Sequence, residues 1–207
     1  MTIREKMKAG RLYTDLGEGL EEERLRCKEL VYDFNHTRPS EEKRREELLK
    51  EILGDMGKEV WVEPPIQFAY GRNTHIGDYT YINFNFTVVD DGDVYIGNHV
   101  MIAPNVTISP TGHPICPELR AKGMQFSIPV HIGNNVWIGS NAVILPGVSI
   151  GDHSVIGAGS IVTKDIPANV IAVGTPCHVL REINEKDREF YYKEMQILPE
   201  DWEGGIW

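Results

Sequence analysis

The stretch IGNNVWIGSNAVILPGVSIGDHSVIGAGSIV, residues 132–162, places a branched aliphatic at every sixth position: Ile132, Ile138, Ile144, Ile150, Ile156 and Val162. Helices repeat apolar residues at about 3.6 and half-buried strands at about 2, so a sustained interval of six belongs to neither element alone. It marks an internal repeat. The same phase runs upstream through Ile76, Ile82 and Val88, and resumes after a two-residue slip at Ile96, Ile102 and Ile108. Four places after several of these aliphatics stands a small or branched residue, as at Ala142, Val148, Ser154 and Ser160. Short repeats of this kind are a signature of parallel β-helices, in which one strand and one turn form each unit.

Three such units make one coil of about 18 residues, and coils stack at the strand spacing of about 4.8 Å. The expected shape is a triangular prism with its aliphatic ladders inside. Gly77, Gly97, Gly133, Gly139, Gly151 and Gly157 follow inward aliphatics directly, where a turn needs little side-chain bulk or a permissive backbone. Trp137, Val143, Val155 and Ile161 fall one place before the inward residues and are expected to point outward. Association of identical prisms would bury them. The open ends of a prism carry unpaired strand edges, which need covers.

Composition divides the chain into three regions. Residues 1–58 are charged, poor in β-branched residues and free of the repeat, and read as a helical cap. One helix is expected from Glu21 to Phe34 with Leu25, Leu30 and Val31 on one face, and a second after Ser40 as N-cap, stopped by Gly54. Residues 59–181 carry the repeats, interrupted by a loop over 110–129. Residues 182–207 read as a C-terminal helix, over Asn184 to Met195, followed by a tail from Leu198 to Trp207.

The chain holds 31 Asp and Glu against 21 Lys and Arg, a formal net charge of −10, which disfavours nucleic acid or an anionic membrane as partner. Three scattered cysteines, Cys27, Cys116 and Cys177, suit a reducing cytoplasm better than a disulfide framework. The polar N-terminus and the lack of a long apolar run indicate neither secretion nor insertion.

Of the 7 histidines, His75 and His131 precede inward aliphatics, His99 and His153 lie on turns, and His36 belongs to the cap. His113 differs. It lies between Gly112 and Pro114, where the regular coil gives way to the long loop, and loops on rigid scaffolds concentrate functional side chains. A histidine there is either a general base or an ordinary turn residue.

Several segments together resemble the hexapeptide-repeat sugar O-acetyltransferase family, and within it the galactoside branch. They include Tyr13-Thr14-Asp15, Trp61-Val62-Glu63-Pro64-Pro65, Tyr81-Ile82-Asn83-Phe84-Asn85, Thr111-Gly112-His113-Pro114 and Val162-Thr163-Lys164-Asp165. The resemblance implies a left-handed parallel β-helix, a homotrimer, and interfacial active sites in which acetyl-CoA donates an acetyl group to a galactoside or related hexose. It implies His113 as the catalytic base, acting by direct attack, with Ser140 or a backbone amide opposite the developing negative charge. It implies that Asp15, Asn83 and Asp91 hold the acceptor, with Arg24, Tyr81 and position 69 nearby. Ala69 departs from the serine of the galactoside enzymes.

For the cofactor, the resemblance points to Ser140, Ala158, Thr163 and Lys164 along the pantetheine arm and to His178 and Arg181 at the nucleotide phosphates. His178 departs from the family's arginine. No metal is implied. The alternative within the family is a maltose- or glucose-type acceptor, or another small molecule. Two rivals from other classes are a zinc hydratase on the same prism, whose histidines would lie on adjacent coils, and a purely structural protein, which leaves the extruded loop unexplained.

Overall fold

In the computed structural model, which describes residues 1–203, the aliphatic repeats build three parallel sheets around one core. The first face stacks Asp55–Met56, Thr74–Ile76, Val94–Ile96, Val130–Ile132 and Ser149–Ile150. The second stacks Trp61–Val62, Tyr81–Ile82, Met101–Ile102, Trp137–Ile138, Val155–Ile156 and Val170–Val173. The third stacks Ile66–Phe68, Phe86–Val88, Thr107–Ile108, Val143–Ile144 and Ile161–Val162. The chain visits the faces in that order, coil after coil, as a left-handed parallel β-helix. Each face contributes an inward ladder; on the second, Ile82, Ile102, Ile138 and Ile156 are at most 1% exposed. Burial of each such side chain is worth about 1.5–3 kcal/mol. The small residues Ala142, Ser154 and Ser160 are fully buried as well.

The repeat glycines are required for space rather than for backbone freedom. None of the six has a positive φ. A Cβ on Gly97 would lie 2.7 Å from the Gly133 carbonyl carbon, and one on Gly139 2.6 Å from the Ala158 nitrogen, because the corners of neighbouring coils touch there. The left-handed positions fall two residues later, at Tyr79, His99, Asn135 and His153. Between them, a side-chain ladder satisfies the corner amides that no sheet can reach: Asp78 accepts from Lys58 N, Asn98 from Asp78 N, Asn134 from Asn98 N, and Asp152 from Asn134 N.

Coil length is not uniform. Stacked corner positions lie 18 residues apart in the upper coils, 20 in the lower ones, and 36 where the loop intervenes. The two extra residues sit after the third face, following Phe68 and Val88 alike. Asp90, fully buried, ties these two widened corners together: its Oδ1 accepts from the amides of Ala69 and Tyr70, at 3.0 and 2.8 Å, and its Oδ2 from the Thr74 hydroxyl at 3.1 Å.

The lower end is covered by helices α2 (Leu20–Asn35) and α3 (Glu42–Ile52), while α1 (Ile3–Lys8) buries no side chain and lies against Phe126–Ser127 of the long loop. The buried stripe of α2 is Leu20, Cys27, Val31 and Phe34; Leu25, expected on that face, is 60% exposed. Asn35 completes the cover of the third face, since its side-chain amide donates to Ile66 O and accepts from Ile66 N at 2.9 and 2.8 Å, as a neighbouring strand would. Ser40 is not the cap of α3. A turn closed by Glu41 N to Arg38 O carries it outside the helix, and the cap position is Glu41. Gly54 does follow the end of α3, but its role is steric: a Cβ there would meet Arg72 O at 2.2 Å.

At the upper end, His178–Glu182 returns antiparallel along Val170–Val173. The predicted C-terminal helix shrinks to a single turn over Lys186–Glu189, followed by a hairpin of Phe190–Tyr192 with Met195–Gln196. Three consecutive aromatics, Phe190, Tyr191 and Tyr192, favour strand over helix. Residues 204–207 of the expected tail lie outside the described residues. No helix among those described is long and apolar enough to cross a membrane.

Burial pushes the Asp90 carboxyl from 3.8 up to about 7, against the hydrogen bonds that pull it down. Between those values the folded chain holds a proton that the unfolded chain has released. The contribution is therefore full below pH about 4 and lost as pH rises through about 7. Asp90→Asn retains the shape of the neutral acid and has no such titration. Its melting temperature relative to the native chain is expected to climb steadily from pH about 4.5 to about 8; a constant difference across that range contradicts the assignment.

Candidate active site

The second widened corner turns Asp90 into the wall and Asp91 toward the N-terminal segment. Asp91 is 8% exposed, and its Oδ1 accepts from the side-chain amide of Gln125 at 2.9 Å. Burial raises its pKa, while Gln125 and the Arg24 charge oppose the rise. Arg24, on α2, donates to the Tyr70 hydroxyl at 2.6 Å and to the Asp15 carbonyl at 2.8 Å, and its guanidinium lies 3.1 Å from the Asp15 carboxylate. Burial pushes the Tyr70 hydroxyl up to about 12, so it is a neutral donor and acceptor. A cleft opens beside these groups, lined by Met7, Leu20, Tyr70, Asp91, Gly92 and Ser127.

The loop over 110–129 is ordered by its own hairpin, in which Thr111–Gly112 pairs antiparallel with Phe126–Ser127. A helical turn over Pro117–Arg120 lets Arg120 donate back to the carbonyls of Pro114 and Ile115, at 3.2 and 3.0 Å. His113 stands directly after the first hairpin strand. Its Nδ1 lies 2.9 Å from Met124 O, and a carbonyl can only accept, so Nδ1 carries the proton and the exposed imidazole keeps Nε2 bare when neutral. Gln125 pairs with Tyr13 through both backbone bonds, each 2.9 Å, and Ser127 Oγ joins the Tyr13 and Thr111 hydroxyls at 2.6 and 2.9 Å. Burial raises the Tyr13 pKa, opposed by its hydrogen bond with Ser127.

Asp15, Arg24 and Asp91 are thus brought together, and Ala69 lies at the neighbouring widened corner with its amide on Asp90. Tyr81 and Asn83 are elsewhere. Tyr81 is on the outside of the second face, and Asn83 follows at the corner between the second and third faces, its Oδ1 accepting from Phe84 N. The cofactor candidates divide in the same way. Ser140 and Ala158 stack on the second-to-third corner, where Gly159 N donates to Ser140 O at 2.8 Å. Thr163 and Lys164 leave the third face at the next corner. His178 and Arg181 lie on the antiparallel strand at the top, and Arg181 is held by two bonds to the Asp187 carboxylate, at 2.7 and 2.6 Å. That pair lowers Asp187 to about 2. Within one chain these groups are spread over two edges of the prism, its second face and its upper end.

Tyr70 and Gln125 escaped the sequence reading. Tyr70 falls inside the first two-residue insertion, which the ladder of Ile76, Ile82 and Val88 does not reach back to reveal. Gln125 sits in the loop, where no period applies.

The chain is similar to known proteins along nearly its whole length. Residues 6–57 match the family described as maltose acetyltransferase hexapeptide capping motif, and residues 129–164 match bacterial transferase hexapeptide (six repeats). The chain is 58% identical to galactoside O-acetyltransferase of Escherichia coli (strain K12) over 95% of its own length and 97% of that protein's. It superposes on a structure of galactoside acetyltransferase in complex with coenzyme A with a TM-score of 0.94, 58% identity, and coverage of 96% and 99%. A maltose O-acetyltransferase structure from Clostridium difficile 630 gives a TM-score of 0.87 at 46% identity, covering 89% and 98%.

Arg24 ties Tyr70, which lines the cleft, to Asp15 beside it. Arg24→Met is expected to raise the KM for a hydroxyl acceptor on the order of tenfold by freeing Asp15 and Tyr70. The KM for acetyl-CoA should stay within about twofold. Steady-state kinetics with each substrate varied in turn decides it, and an unchanged acceptor KM removes Arg24 from the site.

Proposed function

Because this chain belongs to the hexapeptide-repeat sugar O-acetyltransferase family, we propose that it transfers acetyl from acetyl-CoA to a hydroxyl of a galactoside or related hexose. The observation that carries the mechanism is the bond between His113 Nδ1–H and Met124 O. An alcohol is almost fully protonated near neutrality and attacks slowly, so the reaction needs a base that accepts a proton as the new bond forms. With Nδ1 committed, Nε2 is that base. It takes the proton from the acceptor hydroxyl while the oxygen adds to the thioester carbonyl. The tetrahedral adduct then expels the coenzyme A thiolate, which recovers the proton from His113. No acyl-enzyme forms, and no metal is called for. A donor such as Ser140, or a backbone amide, faces the developing oxyanion.

The acceptor site is the cluster of Asp15, Arg24 and Asp91, of which Asp91 also lines the neighbouring cleft. A sugar hydroxyl both donates and accepts, and two carboxylates with an arginine offer both. Asn83 and Tyr81 join it from a neighbouring chain. The division of the candidate residues between two prism edges supports a homotrimer with each site between two chains. The outward row of Trp61, Tyr81, Met101 and Trp137 on the second face supports it too, since Met101 and Trp137 are 51% and 55% exposed in the single chain. The pantetheine arm lies along the groove so formed, past Ser140, Ala158, Thr163 and Lys164, and the phosphates meet Arg181 and His178. Arg181 must then share its guanidinium between phosphate and Asp187. The reaction takes place in the cytoplasm.

The maltose-type acceptor is the second reading, favoured by the cap motif over residues 6–57 and by the C. difficile relative. Thiol release from acetyl-CoA, measured with a β-galactoside, a glucoside and maltose, separates the two. In the same assay His113→Ala is expected to lose about 10²–10⁴-fold in kcat with coenzyme A affinity retained. Near-native turnover by the folded variant would falsify the role of His113.

A further inference from the structure

We propose that Gln125 is a positioning residue of the acceptor site: its side chain aims the Asp91 carboxylate, while its main chain locks the His113 loop onto the N-terminal segment. The inference rests on the sugar-acceptor reading and deepens it. Gln125 is 6% exposed, and an amide buried so far must find partners. Its Nε2 finds Asp91 Oδ1 at 2.9 Å, and its backbone N–H and carbonyl both pair with Tyr13. The preceding carbonyl, of Met124, holds His113 Nδ1, and Ser127, two residues on, joins Tyr13 and Thr111. The segment 124–127 therefore touches the base, the carboxylate and the segment leading to Asp15.

The chemistry of the contact explains why an amide suits this place. A neutral donor satisfies one oxygen of Asp91 without cancelling its charge, and it leaves Oδ2 for a substrate hydroxyl. An ammonium or guanidinium there would tie up the carboxylate in an ion pair. Arg24, the cation acting on Asp91, is already committed to Asp15 and Tyr70. Without Gln125 the carboxylate would be buried short of a partner, which disfavours its charged form.

Gln125→Met keeps length and volume and removes the donor. The expected result is an acceptor KM raised on the order of tenfold, a smaller change in kcat, and an acetyl-CoA KM within about twofold of native. Merely structural damage would move both substrates and the melting temperature together. In an Asp91→Asn background the same change is expected to cost less than about twofold, because the group it aims is already altered. If Gln125→Met does not fold, Gln125→Glu, which keeps the shape but sets one carboxylate against another, carries the same comparison. An unchanged acceptor KM in a folded variant, or effects that simply multiply in the double variant, overturns the proposal. A native chain that acetylates no sugar overturns the acceptor reading itself; a native enzyme with an indifferent Gln125 overturns only this inference.

Discussion

The molecule depends on how closely one coil can lie on the next. Strand pairing sets the spacing along each face, and the corners must match it without any pairing of their own. At Gly97 and Gly139 the backbone of the next coil already occupies the space of a methyl group. Where side chains return, one position later, they serve the same end: the ladder from Asp78 through Asn98 and Asn134 to Asp152 satisfies corner amides by reaching across the gap. Aliphatic burial supplies most of the favourable free energy, but the corners decide whether the ladders can form at all.

A wall built this way has no room for irregularity inside it, so irregularity is driven to the corners. The two-residue insertions after Phe68 and Val88 show the consequence. One of two adjacent aspartates, Asp90, turns inward and joins the widened corners; the other, Asp91, turns toward Asp15, Arg24 and Gln125. The long loop leaves the same face-three exit one coil later, after Ile108, and delivers His113 with its ring already oriented by Met124. Structural and candidate catalytic groups are thus neighbours in sequence for a mechanical reason.

The period of six made the faces, the inward residues and both interruptions legible before any coordinates. The 20-residue length of the lower coils was only half visible, because the slip after Val88 can be counted whereas its partner after Phe68 precedes the first clear ladder. The reason for the repeat glycines was open between bulk and backbone freedom, a distinction that needs the neighbouring coil in place. Helix ends and the C-terminal hairpin were misread because local propensity at Ser40 and over 184–195 yields to a turn and to an aromatic run. Arg24, Asp15 and Asp91 came from resemblance and lie together; Tyr70 and Gln125, which complete their contacts, belong to segments without a period.

The proposed site is divided between two edges of each prism, with His113 near one and Asn83 at another. A chain alone then holds only halves of sites, and two defective chains can mend each other. The most direct measurement is complementation: Asn83→Ala and His113→Ala chains, each inactive alone, are unfolded, mixed in equal amounts and refolded, and acetyl transfer is assayed. The account predicts recovery of roughly a quarter of native activity per site, as random mixing pairs an intact His113 from one chain with an intact Asn83 from its neighbour. Mixed oligomers that form and remain inactive would contradict it.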